Sequence, residues 1–166
     1  MNSIFVRRSV REFLDKPVEK EKIEKILRAG MQAPSAKNQQ AWEFIVVTSQ
    51  EDKEKVSKMS PFSKLASKAA VLIVVLGNKN KMTLPEKWQQ DLGACTQNIL
   101  LQIVKEGLGG VWLGVYPTQE RIDALKDIFD LPDNIIPFSV VSFGYSDRKN
   151  TFTDRYNESA VHWEKY

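Results

Sequence analysis

The sequence predicts one domain of mixed helices and strands, and three observations carry that reading. Short runs rich in β-branched and aromatic residues alternate with longer runs whose apolar residues recur at three- and four-residue steps. No repeat, low-complexity tract or linker interrupts the 166 residues, so the domain is taken as 1–166. Hydrophobic content of 42% beside 27% charged residues is ordinary for a soluble globular protein.

The elements follow in order. Residues 2–8 suit a short helix that delivers Arg7 and Arg8. Pro17 breaks the chain, and Glu19 to Met31 is amphipathic through Ile23, Ile26, Leu27 and Met31. A polar stretch, Ala33 to Trp42, runs straight into a strand over Trp42 to Thr48. Glu51 to Met59 reads as a surface helix, with a further short helical piece through Lys68. Ala70 to Leu76 is apolar on both faces, as a central strand requires, and Gly77-Asn78 should end it. Pro85 opens the longest helix, to Glu106, with a seam of Trp88, Leu92, Cys95, Ile99 and Ile103 widened by Leu100, Leu101 and Val104. So broad an apolar surface predicts burial on more than one side. Gly107 to Gly110 stops that helix, and Val111 to Val115 is a short strand. A helix from about Glu120 to Phe129 has Thr118 as its cap. Pro132 and Pro137 bracket a turn before the last strand, Phe138 to Tyr145. The tail carries Arg155, Tyr156, His162, Trp163 and Tyr166, too many aromatics for a disordered segment, so it should pack against something.

Charge and cysteine narrow the setting. The formal charge of +3 is too small for a nucleic-acid binder. It is also uneven, with nine Lys/Arg against five Asp/Glu in residues 1–37 and fifteen against sixteen beyond. A local anionic ligand explains that asymmetry better than a polyanion. The single cysteine, Cys95, fits a reducing compartment, and no run is long and apolar enough to suggest export or a membrane span. A cytoplasmic protein is expected.

Conventional catalytic sets are missing. The one histidine, His162, lies near the C-terminus and suits packing or an interface. Cys95 sits inside an apolar seam as an inert thiol, and no metal-ligand spacing, Walker loop or dinucleotide fingerprint occurs. Arg7-Arg-Ser-Val-Arg11 stands out instead. If extended, it puts Arg7, Ser9 and Arg11 on one face and Val10 on the other. Alone, such a cluster is more often a solvated basic patch. With no acid–base team, however, local cations and amides suit a cofactor that brings its own reactivity. The phosphate of a flavin mononucleotide would take Arg7, Arg8, Ser9 and Arg11, its pyrimidine edge Asn38 and Gln40, and Gly114 would let a backbone approach a planar ring.

Three ordered motifs then resemble the FMN-dependent nitroreductase family: Arg7 to Arg11, Ala33-Pro-Ser-Ala-Lys-Asn-Gln-Gln-Ala-Trp42, and Gly107-Leu-Gly-Gly-Val-Trp-Leu-Gly114. The resemblance spans essentially the whole chain. It implies an α+β fold, a central mostly antiparallel sheet flanked by helices, in a domain-sharing homodimer with FMN sites at the interface. By the same analogy Arg155 joins the arginines at the phosphate, and Pro34, Ser35 and Ala36 come from the partner subunit to cover the ring. Trp112, Leu113 and Gly114 line the ring's other face and offer a donor to N5. The helix around Cys95 to Ile103 forms the dimer core. Two features depart from the family pattern: Ala41 stands where Pro is usual, and insertions that cap the pocket in larger members are missing between Leu76 and Trp88.

The implied activity is an FMN-dependent NAD(P)H oxidoreductase. It would reduce nitroaromatic, quinone or similar small acceptors by a ping-pong hydride mechanism at N5, with no catalytic side chain and no metal. The alternative is a flavin-binding protein that stores or senses FMN without turnover.

Overall fold

The computed structural model describes residues 2–148 and 150–166. Its centre is a four-stranded antiparallel sheet in the order β1-β2-β4-β3, from β1 (Trp42–Val47), β2 (Val71–Asn78), β3 (Gly109–Gly114) and β4 (Ile135–Gly144). Strand β2 shows why the sheet is covered twice. Val71, Ile73 and Val75 enter one core, while Leu72, Val74 and Leu76 enter the other, as the two-residue period of a strand dictates. Helices α2 (Lys20–Met31) and α4 (Trp88–Lys105) cover the first face; α3 (Gln50–Ser57) and α5 (Gln119–Phe129) cover the second. A four-residue helix, α1 (Ser3–Val6), leads in from the N-terminus. The fold is α+β, as the sequence implied. No helix of the described residues is long and apolar enough to cross a membrane.

Helix α4 departs from one expectation. Its seam, Leu92, Cys95, Ile99 and Ile103, is fully buried within this chain, against α2 and the sheet. The flanking Leu101 and Val104 stay half-buried, so two intrachain neighbours account for the seam and leave these two residues partly open. Gly107 ends the helical stretch with a φ of 77°, a left-handed turn that glycine adopts without strain. Thr118 stands at the N-cap of α5, yet its side chain makes no capping bond there.

Pro137 was expected to close a turn; it lies inside β4 instead. It sits beyond the last rung of β3, which pairs only from Gly144 to Ser139, and beside a register shift between Val75 and Leu76. A missing N–H is tolerated at such a place. Gly77 and Asn78 likewise continue β2 rather than ending it, and pair with Ile136 and Ile135.

Residues 151–166 are all exposed, Trp163 at 83% and Tyr156 at 73%, so the aromatic tail does not pack into this chain's core. His162 only stacks on Tyr166, with ring centroids 4.3 Å apart. Met31, expected on the apolar stripe of α2, is also exposed.

Candidate functional site

The N-terminal arginines are placed by an extended segment. Helix α1 stops at Val6, and Ser9 forms a parallel bridge to Gly110, with the Val10 N–H donating to the Gly110 carbonyl at 3.0 Å. Val10 is buried while Ser9 and Arg11 are exposed, the predicted alternation. Its methyl groups lie over Gly109, where an added Cβ would come within 2.7 Å of Cγ1. Only glycine lets the segment approach the edge of β3 so closely.

Arg7, Arg8 and Arg155 meet in a cleft of about 230 Å³, walled by Phe5 and Phe152. The rings of Phe5 and Phe152 lie 6.2 Å apart and hold the tail to α1. Burial, then the neighbouring Arg155 and Arg8 guanidiniums, pull the Arg7 pKa below its ordinary value. Like charges are thus held together with their mutual repulsion unrelieved. Arg8 Nη1 donates to the Arg7 carbonyl at 2.7 Å, but Nη2 is buried with no partner among the described residues. An orphaned buried guanidinium nitrogen calls for an acceptor. The carboxylate of Asp154, in the same cleft, accepts from the Tyr156 N–H at 3.0 Å.

Arg11 lines a neighbouring cleft of about 360 Å³ with Lys64 and Lys68. Its one carboxylate, Glu12, is forked by Arg148 at 3.0 Å on both oxygens, and that partner holds the Glu12 pKa below the usual range. Among the described residues no carboxylate reaches Arg11, Lys64 or Lys68 within 4.0 Å. Their positive charge is therefore unneutralised. The two lysines were missed in the sequence, where they look like any solvated helical face.

The polar stretch before β1 is a strained loop. Lys37, Asn38 and Gln40 have φ values of 48°, 55° and 45°, the left-handed region that non-glycine residues rarely enter. Gln40 Nε2 donates to Asn38 Oδ1 at 2.6 Å, and the Gln40 N–H to Ser35 Oγ at 3.1 Å. Asn38 Nδ2 and Gln40 Oε1 remain as an exposed donor and acceptor side by side. Pro34 is exposed, Ser35 and Ala36 half-buried, and one hydrogen-bonded loop unites them with Asn38 and Gln40.

At the far edge, Trp112 is half-buried against Phe138, with centroids 5.8 Å apart, and Leu113 is buried. Gly114 is exposed, and a Cβ built on it meets nothing within 4 Å. Arg121 Nη1 fixes its carbonyl at 2.8 Å. Strand β3 is one edge of the sheet and β1, into which the loop leads, is the other. No hydrogen bond among the described residues joins that loop to the arginines or to Trp112–Gly114. The chain brings together Arg7, Arg8 and Arg155 in one cleft and places Arg11 in another, with Ser9 exposed between them in sequence; no hydrogen bond among the described residues joins these to Pro34–Gln40.

The helix-flanked antiparallel sheet and the arginine cleft beside β3 set the frame for comparison with known proteins. Residues 4–61 and 57–145 match the Nitroreductase family. A protein of Archaeoglobus fulgidus named "Putative NADH dehydrogenase/NAD(P)H nitroreductase" is 44% identical, over 100% of this chain and 98% of its own. The crystal structure of a "Putative NADH Oxidase" from Clostridium acetobutylicum superposes with a TM-score of 0.97 at 48% identity, covering 99% of each chain. An "FMN-dependent Nitroreductase" from Clostridium difficile gives 0.87 at 29% identity, again over 99% of each. The chain belongs to the nitroreductase family.

Proposed function

We propose that this chain is an NAD(P)H-dependent flavin oxidoreductase of the nitroreductase type, with FMN as cofactor and a small acceptor such as a nitroaromatic or quinone as oxidant. The carrying observation is the cleft in which Arg8 Nη2 is buried without a partner beside Arg7 and Arg155. A phosphate with nearly two negative charges satisfies that nitrogen and relieves the repulsion among the guanidiniums. The other residues fit the same ligand. Asn38 Nδ2 and Gln40 Oε1 match the carbonyl and N–H of a pyrimidine edge, and Gly114 leaves open space where a flat ring would lie. The relative from Clostridium difficile, named for FMN dependence, supports the choice.

When bound, FMN would supply ping-pong hydride transfer through its N5 from a nicotinamide nucleotide to the acceptor that follows. The chain's own work is placement. Arg7, Arg8, Ser9 and Arg155 grip the phosphate, and Arg11, Lys64 and Lys68 supply a positive surround for electron-rich parts of the cofactor. The Gly114 backbone, clamped by Arg121, would lie beside the ring. With Cys95 buried and its thiol pushed up to about 12, no reactive cysteine competes, and a reducing cytoplasmic setting suits it.

The site is completed by a second copy. Loop 34–40 leads into one edge strand and the arginine segment pairs with the other, so we assign them to different copies around one ring, and the exposed tail with Phe152, Tyr156 and Trp163 offers apolar surface to a partner. Absorbance spectra with FMN, before and after NADPH or NADH, test the reading. A protein that stays colourless after FMN is added refutes it, and a bound flavin that neither nucleotide bleaches leaves a flavin-binding protein without turnover.

A further inference from the structure

We propose that Asp91, on the first turn of α4, is a positioning residue that holds the strained loop 35–40 in its presenting shape. Its carboxylate is 5% exposed, on the same stripe as Trp88, Leu92 and Cys95. Both oxygens are turned on the loop: Oδ1 accepts from the Ala36 N–H at 3.0 Å, and Oδ2 from Gln39 Nε2 at 2.6 Å. No cation among the described residues lies within 4.0 Å of it. A buried carboxylate without a cation is unfavourable for the fold, and the N-terminal end of the helix dipole offsets only part of that. An apolar residue would serve the core better at this place on the seam. The gain from the carboxylate must lie in what it holds.

What it holds is a loop that would not keep its shape alone. Three non-glycine residues in four positions have positive φ, and each is strained there. The anchors alternate with the presented groups. Ala36 and Gln39 are half-buried and bonded inward, Gln39 Oε1 also accepting from the Leu84 N–H at 2.9 Å. Lys37, Asn38 and Gln40 are exposed. Fixing residues 36 and 39 therefore sets the backbone of 38 and 40. This role rests on the proposal that Asn38 and Gln40 meet the flavin; the hold on the loop does not.

The test uses Asp91→Asn, which keeps the size but turns a donor toward the Gln39 amide, and the double variant Asp91→Asn/Gln39→Glu, which restores that bond with donor and acceptor exchanged. Two readouts are needed. Hydrogen exchange of the flavin-free protein should speed up at least tenfold at the amides of residues 36, 38, 39 and 40 in Asp91→Asn, with the β2 amides unchanged. Flavin titration should show FMN bound at least tenfold more weakly by Asp91→Asn, and within threefold of the parent by the double variant. Unchanged exchange in the loop, equal acceleration in β2, or no rescue by the double variant would overturn the role of Asp91. A parent chain that takes up no FMN would instead overturn the flavin reading, and the exchange result would still decide whether Asp91 holds the loop.

Discussion

Arg155→Gln separates ligand binding from folding more cleanly than any other change at the cationic cleft. Arg155 lies in the exposed tail, and its side chain makes no hydrogen bond among the described residues, so the fold does not lean on it. Its one marked effect on a neighbour is repulsive, through Arg7. Removing the charge should therefore leave the stability of the flavin-free protein within about 0.5 kcal/mol. FMN binding should respond quite differently. A hydrogen bond to a charged group is worth about 1.5–3 kcal/mol, and the exposure of the tail puts Arg155 at the lower end. About 1.5 kcal/mol is roughly a tenfold rise in Kd. Riboflavin supplies the control, because it has the ring and the ribityl chain but no phosphate. Fluorescence titration should show FMN weakened about tenfold and riboflavin unaffected, and the FMN difference should shrink as salt shortens the screening length from about 10 Å at 0.1 M to about 3 Å at 1 M. FMN affinity within twofold of the parent, or an equal loss for riboflavin, would remove Arg155 from the phosphate site.

Four further outcomes follow from particular contacts. Gly109→Ala should destabilise the protein by about 1–3 kcal/mol in chemical denaturation, because the new methyl meets Val10, and Val10→Ala in the same chain should recover most of it; additivity of the two losses would refute the contact. Ser142→Ala should be neutral or stabilising by up to about 1 kcal/mol in thermal melts, since the Ser142 hydroxyl is buried without a partner among the described residues. Cys95, raised by burial to about 12, should resist thiol reagents at pH 8 until the protein unfolds. The unfolded thiol ionises near its ordinary value of about 8.5, so stability held below that pH should be lost as pH climbs toward about 12. If the loop at 34–40 completes the site of a second copy, FMN affinity should fall when the protein is diluted until it dissociates in sedimentation; affinity unchanged in the monomer would refute a shared site.

The sequence was most legible where burial repeats with a period. Helix α4 and strand β2 were readable because each places apolar residues on the faces that its own geometry buries. Pro137 misled because the rule that proline ends a strand is a rule about ladder hydrogen bonds, and the register shift that excuses it belongs to the pairing with β2. The breadth of α4 was read as two-sided burial, and within the chain α2 and the sheet supply two sides; apolar spacing records that a face is covered but not by what. The tail is the opposite case. Its aromatics announced a packing surface, yet among the described residues Phe152 meets only Phe5 on α1, and Tyr156 and Trp163 stay exposed.

The same division runs through the site. Arg7 to Arg11 could be recognised locally, because an extended segment sorts its own faces. Lys64 and Lys68 could not, since nothing near them in the chain distinguishes a lysine facing Arg11 from one facing water. Asp91 did leave a signal: a lone carboxylate one turn beyond Trp88 on an otherwise apolar stripe is a local inconsistency. Such a conflict between local pattern and burial is where a functional constraint is expected. Pro34 to Gln40 shows the last limit. Its residue types suggested a ligand, and the strain and anchorage in the structure sharpen that into a rigid presenting loop. The loop leads into β1, the edge strand opposite β3, and no hydrogen bond among the described residues links it to the arginine cleft. A second copy that supplied the loop would tie assembly to the chemistry rather than to surface area, and the dilution measurement decides it.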